Sequence, residues 1–198
     1  MIVIEGTDLV GKTSLCNVLL KTLHENGYPL IPQHFGLLED DWDFYWDYLP
    51  FINRRTVMDR FTMSEVVYGN VIRDRSRISP ETYRLLDAHM RLQGTVTVVV
   101  TASDEWLESQ LDRKYDGQRE KFQPEQILAV NAGFKALLDT CYDKRHPWAN
   151  EFACDWDVRI DVYCTADMPS TNADLVESIV NLYLKRQQNL EVRYDEQR

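Results

Sequence analysis

Residues 1–14 decide the fold, and they read MIVIEGTDLVGKTS. The stretch begins as an apolar run, bends at Gly6 and ends with a glycine, a lysine and two hydroxyl residues. A nearly continuous apolar run predicts a strand that is covered on both faces of a sheet. The apolar residues that follow the loop recur at helical spacing, so we predict a helix from Lys12 to about Glu25.

Residues 6–13 match the pattern G-x-x-x-x-G-K-[ST], and each part of that pattern has a chemical reason. Glycines let successive backbone N–H groups turn toward phosphate oxygens, and the positive end of the next helix dipole adds to the attraction. Lys12 reaches the β and γ phosphates of a nucleotide, and Thr13 ligates Mg²⁺. Because a strand precedes the loop and a helix follows it, we predict that the segment binds a nucleoside triphosphate together with Mg²⁺. The predicted residues of this ATP-type site are Gly6, Thr7, Asp8, Leu9, Val10, Gly11, Lys12, Thr13 and Ser14.

The composition is typical of a soluble globular protein, with 198 residues of which 44% are hydrophobic and 27% are charged. No apolar run approaches the roughly 18–20 residues that span a bilayer, and no basic segment opens the chain as in a signal peptide. We therefore expect a cytoplasmic enzyme with no membrane partner. The net charge of −10 argues against nucleic acid as the main partner, whereas a small anionic ligand needs only local positive charge. The four cysteines lack CxxC spacing, and we expect them to be reduced.

Strand patterns alternate with helical patterns along the whole chain, which predicts a parallel sheet with helices on both faces. The predicted strands are 2–5, 29–33, 56–59, 95–101 and 156–163. The predicted helices are 12–25, 40–49, 63–73, 80–92, 124–138 and 174–188. A further helix is predicted after the fourth strand, with Ser103 or Asp104 as its N-cap. The residues after the last helix, 189–198, are predicted to form a polar, frayed tail. We predict an α/β fold with five parallel strands, in one domain that covers residues 1–198.

A second chemical feature is the pair Asp59-Arg60 within VMDRFTMSEVVYG, residues 57–69. The pair follows the third predicted strand, at the edge of the sheet where ligands bind in open α/β folds. It therefore brings a metal-side carboxylate and a phosphate-binding guanidinium to one rim. A GTPase would show an Asn/Thr-Lys-x-Asp segment, and a motor-like ATPase would show an acidic residue after the strand at 95–101. The sequence shows neither.

The two motifs together resemble those of the thymidylate kinase family and its deoxynucleoside kinase relatives. IEGTDLVGKTS at 4–14 resembles the opening of a thymidylate kinase, and DRFTMSEVVYG at 59–69 resembles that family's Asp-Arg-Phe/Tyr segment. The order of the later elements agrees, so the resemblance covers about residues 1–188. His34-Phe35-Gly36 is similar to a segment of the small kinases that phages and some bacteria carry. The resemblance implies a phage-type P-loop kinase with a basic lid, acting in the host cytoplasm if a phage encodes it.

The resemblance also implies roles for single residues. Lys12 and Thr13 match the contacts to the triphosphate and to Mg²⁺. Asp59 matches the carboxylate near Mg²⁺ and the acceptor's 5′ end, which makes Thr13 and Asp59 the metal ligands. Asp8 matches the acid beside the acceptor sugar's 3′-hydroxyl, and Arg60 matches the arginine that grips the acceptor phosphate.

A basic stretch, LDRKYDGQREKF at 111–122, stands out in this acidic chain. Phosphoryl transfer needs positive charge over the migrating group and exclusion of water. We therefore predict a lid at about 113–122 that hinges at Gly117. Arg113 and Arg119 join Lys12, Asp59 and Arg60 as predicted catalytic residues.

The acceptor base is expected between the end of the third strand and the helix at 80–92, where aromatic and arginine side chains offer stacking and hydrogen bonds. The predicted acceptor-binding residues are Asp8, Phe35, Tyr45, Arg60, Tyr68, Tyr83 and Arg84, with Arg91 as a further lining group. Related kinases often dimerise through helices, and the aromatic residues at 42–51 are compatible with a homodimer.

The sequence thus predicts an ATP- and Mg²⁺-dependent kinase that phosphorylates a deoxynucleoside monophosphate, with dTMP as the first candidate. Three alternatives stay open. The acceptor could be a nucleoside 5′-hydroxyl, which needs a general base such as Asp59. It could be a hydroxymethylated base in phage DNA, or the chain could be a nucleotide-dependent switch that transfers to no small molecule.

Overall fold

In the part of the chain that the structure describes, five strands form a single parallel sheet. They are β1 (Ile2–Gly6), β2 (Ile31–His34), β3 (Thr56–Asp59), β4 (Val96–Ala102) and β5 (Val158–Val162). Their order across the sheet is β2-β3-β1-β4-β5. The structure, a computed structural model, describes residues 1–36, 42–114, 122–139, 146–152, 157–162 and 172–195, with their side chains except at 112–114, 162 and 193–195.

Six α-helices in these ranges cover the sheet. They are α1 (Lys12–Glu25), α2 (Thr62–Ile72), α3 (Pro80–Leu92), α4 (Asp104–Lys114), α5 (Pro124–Leu138) and α6 (Ala173–Asp195). Two short 3₁₀ helices, Leu49–Phe51 and Pro147–Phe152, lie between them. The α/β fold with five parallel strands and flanking helices is confirmed.

The hydrophobic core lies on both faces of the sheet, which explains why the strands are apolar without interruption. Val3 of β1 and Val99 of β4 belong to a cluster that includes side chains from α2, α3 and α5. Ile2 and Ile4 of β1 and Val98 of β4 belong to a second cluster with side chains from α1, α4 and α6. Successive residues of a strand face opposite sides, so each central strand contributes to both clusters.

Helix starts follow local capping chemistry. Ser79 Oγ accepts a hydrogen bond from the Thr82 N–H at 3.1 Å, and Pro80 occupies the first position of α3. Ser103 Oγ accepts from the Trp106 N–H at 3.2 Å. Of the two predicted caps of α4, the serine is therefore the one that makes the bond.

The predicted helix at 40–49 is wrong over the part of that segment that the structure describes. The chain forms hydrogen-bonded turns there and then the 3₁₀ helix at Leu49–Phe51. Asp43 Oδ1 accepts from the N–H groups of Tyr45 and Trp46, each at 3.0 Å, as at the start of a helix. The turn does not continue as an α-helix, and Pro50, within the 3₁₀ helix, has no N–H to donate to the residue four positions before it.

The predicted frayed tail is also wrong for residues 189–195, because α6 continues to Asp195. Gly94 has φ 63, and a Cβ at this position would lie 2.7 Å from Leu190 Cδ1. The missing side chain at Gly94 therefore leaves room for α6 to pack on the turn before β4. No helix within the described ranges is long and apolar enough to cross a bilayer.

Cys16, the one cysteine among the described residues, is buried in α1 as a free thiol. Its burial raises the pKa of the thiol. Cys141, Cys154 and Cys164 lie outside the described residues.

Candidate active site

The loop between β1 and α1 requires glycine at two points. Gly6 has φ 137, and a Cβ there would overlap the carbonyl oxygen of Val100 on the neighbouring strand β4. Gly11 has φ 83 and leads directly into α1, whose start has no side-chain cap. The first N–H groups of a helix have no partner inside the helix, and they attract anions. The loop geometry therefore fits a phosphate group.

Lys12 is buried at the start of α1, and its Nζ donates a hydrogen bond to the Thr7 carbonyl. Thr7 Oγ1 donates to the carbonyl of Ile127 at 3.2 Å, which ties the loop to α5. Leu9 has φ 71, a left-handed conformation that costs a non-glycine residue about 1 kcal/mol or more. The hydrogen bonds of Thr7 with Lys12 and with Ile127 thus hold the loop in its strained conformation.

Asp59 ends β3 and meets α1 at its first turn. Thr13 Oγ1 donates to Asp59 Oδ2 at 2.5 Å, and His34 Nδ1 lies 3.4 Å from the same oxygen. His34 reaches this point because β2 pairs it with Asp59 in the sheet register. Asp59 Oδ1 is buried, and no described residue supplies a hydrogen-bond partner for it.

A buried carboxylate oxygen without a partner, beside a threonine hydroxyl, fits a hard cation such as Mg²⁺. Within the described ranges there is no group of three or more His, Cys, Asp and Glu side chains that could hold a metal ion. Mg²⁺ usually takes one or two protein ligands and completes its shell with water and substrate phosphates. The donor set of Thr13 and Asp59 therefore fits the predicted magnesium site.

Arg60 connects the Asp59 strand end to the loop. Its Nη2 pairs with Asp8 Oδ1, and the Tyr68 hydroxyl donates to Asp8 Oδ2 at 3.0 Å. The guanidinium also lies over the Tyr68 ring, 5.1 Å from its centre. Burial raises the pKa of Tyr68 to about 12, so the phenol keeps its proton and remains a donor. The glycine loop and the Asp59-Arg60 pair therefore lie in contact at the same edge of the sheet.

Two cavities share Arg60 and His34 in their walls. The phosphate cavity, of about 380 Å³, is lined by the loop together with Thr13, Asp59 and Gln110. The aromatic cavity, of about 310 Å³, borders α2. Its ring-bearing lining residues, apart from His34, are Phe35, Tyr48, Phe61, Tyr68 and Phe122. A polar compartment and a mostly apolar one therefore share a boundary at Arg60.

Two charged side chains line the aromatic cavity and do not line the phosphate cavity. They are Glu65 and Arg73, and Glu65 is only 7% exposed. Glu65 Oε1 accepts from Arg73 Nη2 and, at 3.4 Å each, from the Nε and backbone N of Arg77. Arg73 Nε is buried, and no described residue accepts a hydrogen bond from it.

Glu5 fixes the wall of the aromatic cavity to the sheet. This fully buried carboxylate accepts from the Met63 N–H at 3.0 Å, the Ser64 N–H at 3.1 Å and the Ser64 hydroxyl at 2.5 Å. It therefore caps α2 from the neighbouring strand β1. Burial raises the pKa of Glu5 to about 7, because the loss of water outweighs the hydrogen bonds that favour the charged form.

Three predicted acceptor residues line neither the phosphate cavity nor the aromatic cavity. Tyr83 is 1% exposed within the hydrophobic core, because it belongs to the apolar stripe of α3. Arg84 projects outward and lies 3.9 Å from Glu81. The Tyr45 hydroxyl lies 3.1 Å from His89 Nε2 instead. The assignments of Tyr83 and Arg84 were wrong because α3 turns Tyr83 into the core and Arg84 toward solvent. The assignment of Tyr45 was wrong because the turns at 44–48 direct its hydroxyl toward His89.

A third cavity, of about 330 Å³, lies at the opposite edge of the sheet, between α3, the start of β4 and α6. The predicted lining residue Arg91 belongs to this cavity and pairs with Asp87 at 2.8 Å. Arg186 pairs there with Asp157 at 2.9 Å. The charges of this cavity are therefore balanced within it.

The predicted lid falls largely outside the described residues. This holds for Arg119 and for the side chain of Arg113, so their catalytic roles stay predictions. Three lining residues with a charged or imidazole side chain were not among the predicted site residues, namely His34, Glu65 and Arg73. The sequence could have indicated two of them: His34 is adjacent to the predicted Phe35, and Glu65 lies one helical turn before the predicted Tyr68.

The sheet order, the glycine loop and the helices around them define the class: this chain has the P-loop kinase fold. No protein-family model matches the sequence, and no curated protein sequence matches it. Among solved structures, the chain is similar to the YorR protein of Bacillus subtilis in complex with phosphorylated GDP. The TM-score is 0.62 at 16% identity, over 95% of this chain and 97% of that one. It also matches polyphosphate kinase 2 of Arthrobacter aurescens TC1, with a TM-score of 0.48 and 15% identity, over 94% of this chain and 66% of that one.

Proposed function

We propose that the protein transfers the γ-phosphoryl group of ATP, with Mg²⁺, to a deoxynucleoside monophosphate, with dTMP as the first acceptor to test. One observation carries the proposal: the phosphate cavity and the aromatic cavity share Arg60. A donor phosphate in one cavity and an acceptor phosphate in the other would meet at that guanidinium. The phosphorylated GDP bound to the YorR protein supports a nucleotide as ligand.

On the donor side, the chain supplies positive charge and fixed N–H groups. Lys12, now bonded to the Thr7 carbonyl, would turn to the β and γ phosphates, and the start of α1 would bind the phosphate oxygens. Mg²⁺ held by Thr13 and Asp59 would neutralise charge on the same phosphates. Phosphoryl transfer depends mainly on such positioning and charge neutralisation.

On the acceptor side, Arg60 would exchange the Asp8 carboxylate for the acceptor phosphate, which guanidinium groups bind in bidentate fashion. Asp8 would then be available to the sugar hydroxyl. Phe35 and Tyr68 would contact the base from the walls of the aromatic cavity. A monophosphate is ionised near neutral pH and needs no base to attack the γ-phosphorus. The lid arginines, Arg113 and Arg119, would cover the migrating group.

A second candidate acceptor is a nucleoside 5′-hydroxyl, which one observation favours. His34 lies at the junction of the two cavities, with Nδ1 3.4 Å from Asp59 Oδ2. A neutral imidazole with its proton on Nδ1, on the side of this carboxylate, would leave Nε2 to accept a proton from a hydroxyl. The acceptor assay therefore includes nucleosides beside monophosphates.

The test is transfer of label from [γ-³²P]ATP to a panel of deoxynucleoside monophosphates, deoxynucleosides and hydroxymethylated DNA, with products separated by chromatography. We expect labelled diphosphate from dTMP in the presence of Mg²⁺. Label in the nucleosides alone would move the assignment to the 5′-hydroxyl. Release of inorganic phosphate with no labelled acceptor would overturn the proposal and favour a nucleotide-dependent switch.

A further inference from the structure

Only one of the two carboxylate oxygens of Glu65 accepts hydrogen bonds from described residues. Its Oε1 accepts three hydrogen bonds, from Arg73 and Arg77, whereas no described residue donates to Oε2. The residue is 7% exposed, and it lines the aromatic cavity. The second oxygen of Glu65 therefore has lone pairs to offer to an N–H or O–H group of a ligand in this cavity.

The cavity walls indicate which part of a ligand would meet Glu65. Arg60 and His34 lie at the boundary with the phosphate cavity, whereas Glu65 and Arg73 line only the aromatic cavity. An acceptor with its phosphate at Arg60 would thus place its base near Glu65 and Arg73, among the aromatic rings. These two residues offer one acceptor oxygen and one buried donor, Arg73 Nε.

We infer that Glu65 and Arg73 read the hydrogen-bonding edge of the acceptor base and select bases that carry a ring N–H beside a carbonyl group, namely guanine, thymine and uracil. The inference rests on the proposed function and names its substrate class. The ring N–H donates to Glu65 Oε2, and the adjacent carbonyl accepts from Arg73 Nε. Guanine adds its exocyclic amino group as a second donor to the same carboxylate.

Adenine and cytosine fit this pair less well. Their corresponding ring nitrogen carries a lone pair instead of a hydrogen, and it would face the lone pairs of the carboxylate. A site built to bind an N–H group rejects an analogue that lacks it, because buried polar groups are then left unpaired. We expect kcat/KM for dAMP and dCMP to be at least about 100-fold below that for dTMP and dGMP.

The experiment compares kcat/KM for dTMP, dGMP, dAMP and dCMP in the wild type, in Glu65→Gln and in Glu65→Asp. Loss of one charge-assisted hydrogen bond in Glu65→Gln should lower kcat/KM for dTMP and dGMP by about 10- to 100-fold and narrow their advantage over dAMP and dCMP. Glu65→Asp keeps the charge and should keep the base preference at reduced rate. Glu81→Gln, an exposed glutamate on α3, is the matched control and should behave as wild type.

The outcomes separate the inference from the function on which it rests. If the wild type phosphorylates no nucleotide, the proposed function itself fails. If it phosphorylates dAMP or dCMP as well as dTMP and dGMP, only the base assignment is overturned. The same holds if Glu65→Gln lowers the rate for all four acceptors by one common factor. The ratio between acceptors is measured on the folded fraction, so partial unfolding of a variant does not change it.

Discussion

Replacing Glu5 by glutamine tests the buried contact between β1 and α2. The carboxylate is fully buried, and its pKa is raised from the ordinary 4.5 to about 7. Between these two values the folded protein binds a proton that the unfolded chain releases. Stability must therefore fall as the pH rises through this window and level off above it.

The size of the effect follows from the two pKa values of Glu5. The interval from 4.5 to about 7, at about 1.36 kcal/mol per pH unit, corresponds to about 3 kcal/mol. About 2 kcal/mol of this loss should fall between about pH 5.5 and about pH 8, a range that avoids the pH of minimal charge. Glutamine has no such proton to lose, so the difference in unfolding free energy between wild type and Glu5→Gln should shrink by that amount as the pH rises.

The assay is urea unfolding of both proteins, followed by circular dichroism, in steps across this range. Glu81→Gln serves as an exposed control and should run parallel to the wild type at every pH. Glutamine also turns one of the acceptor oxygens for Met63 and Ser64 into an amide donor, which lowers stability equally at all pH values. Parallel curves for wild type and Glu5→Gln would refute the reasoning, because the buried carboxylate would then not titrate in the folded protein.

Three further substitutions test the site and the packing. Lys12→Ala should abolish phosphoryl transfer to every acceptor in the label assay while the unfolding transition persists, and residual transfer above about 10% of the wild-type rate would contradict the role of Lys12. Arg60→Ala should raise the KM for a monophosphate by about 10-fold or more, and an unchanged KM and kcat would contradict its assignment to the acceptor phosphate. Gly133→Ala should destabilise the fold by about 1–3 kcal/mol in urea unfolding, because the added Cβ would lie 2.9 Å from Val67 Cγ1. Helix propensity alone would instead predict a gain in stability, and such a gain would show that α2 and α5 can move apart.

Most elements could be predicted because their signals are local. The β-branched run of β4, the Ser79-Pro80 start of α3 and the glycine loop before α1 each specify a structure within a few residues. The helix predicted at 40–49 had no support from propensity, because Asp, Phe, Tyr and Trp are all weak helix formers. Pro50, which has no N–H for a further helical bond, was a local signal against it.

The walls of the aromatic cavity were harder to predict than the loop. Tyr83, Leu86 and Met90 form the buried stripe of α3, so helical spacing alone could have assigned Tyr83 to the core. No local rule brings Arg73 and Arg77 to Glu65, because the contact depends on how the chain folds back after α2. Likewise, His34 meets Asp59 only through the register of β2 on β3, and sequence spacing does not contain that register.

The backbone of Arg60 has a consequence for attempts to stabilise this protein. The residue has φ 72, a region that glycine occupies freely and arginine occupies at a cost of about 1 kcal/mol. A screen for thermal tolerance that scores the main chain alone would favour Arg60→Gly, and that change would remove the guanidinium at the junction of the two cavities. At Arg60, a substitution that raises the stability of the fold would therefore lower the rate of phosphoryl transfer.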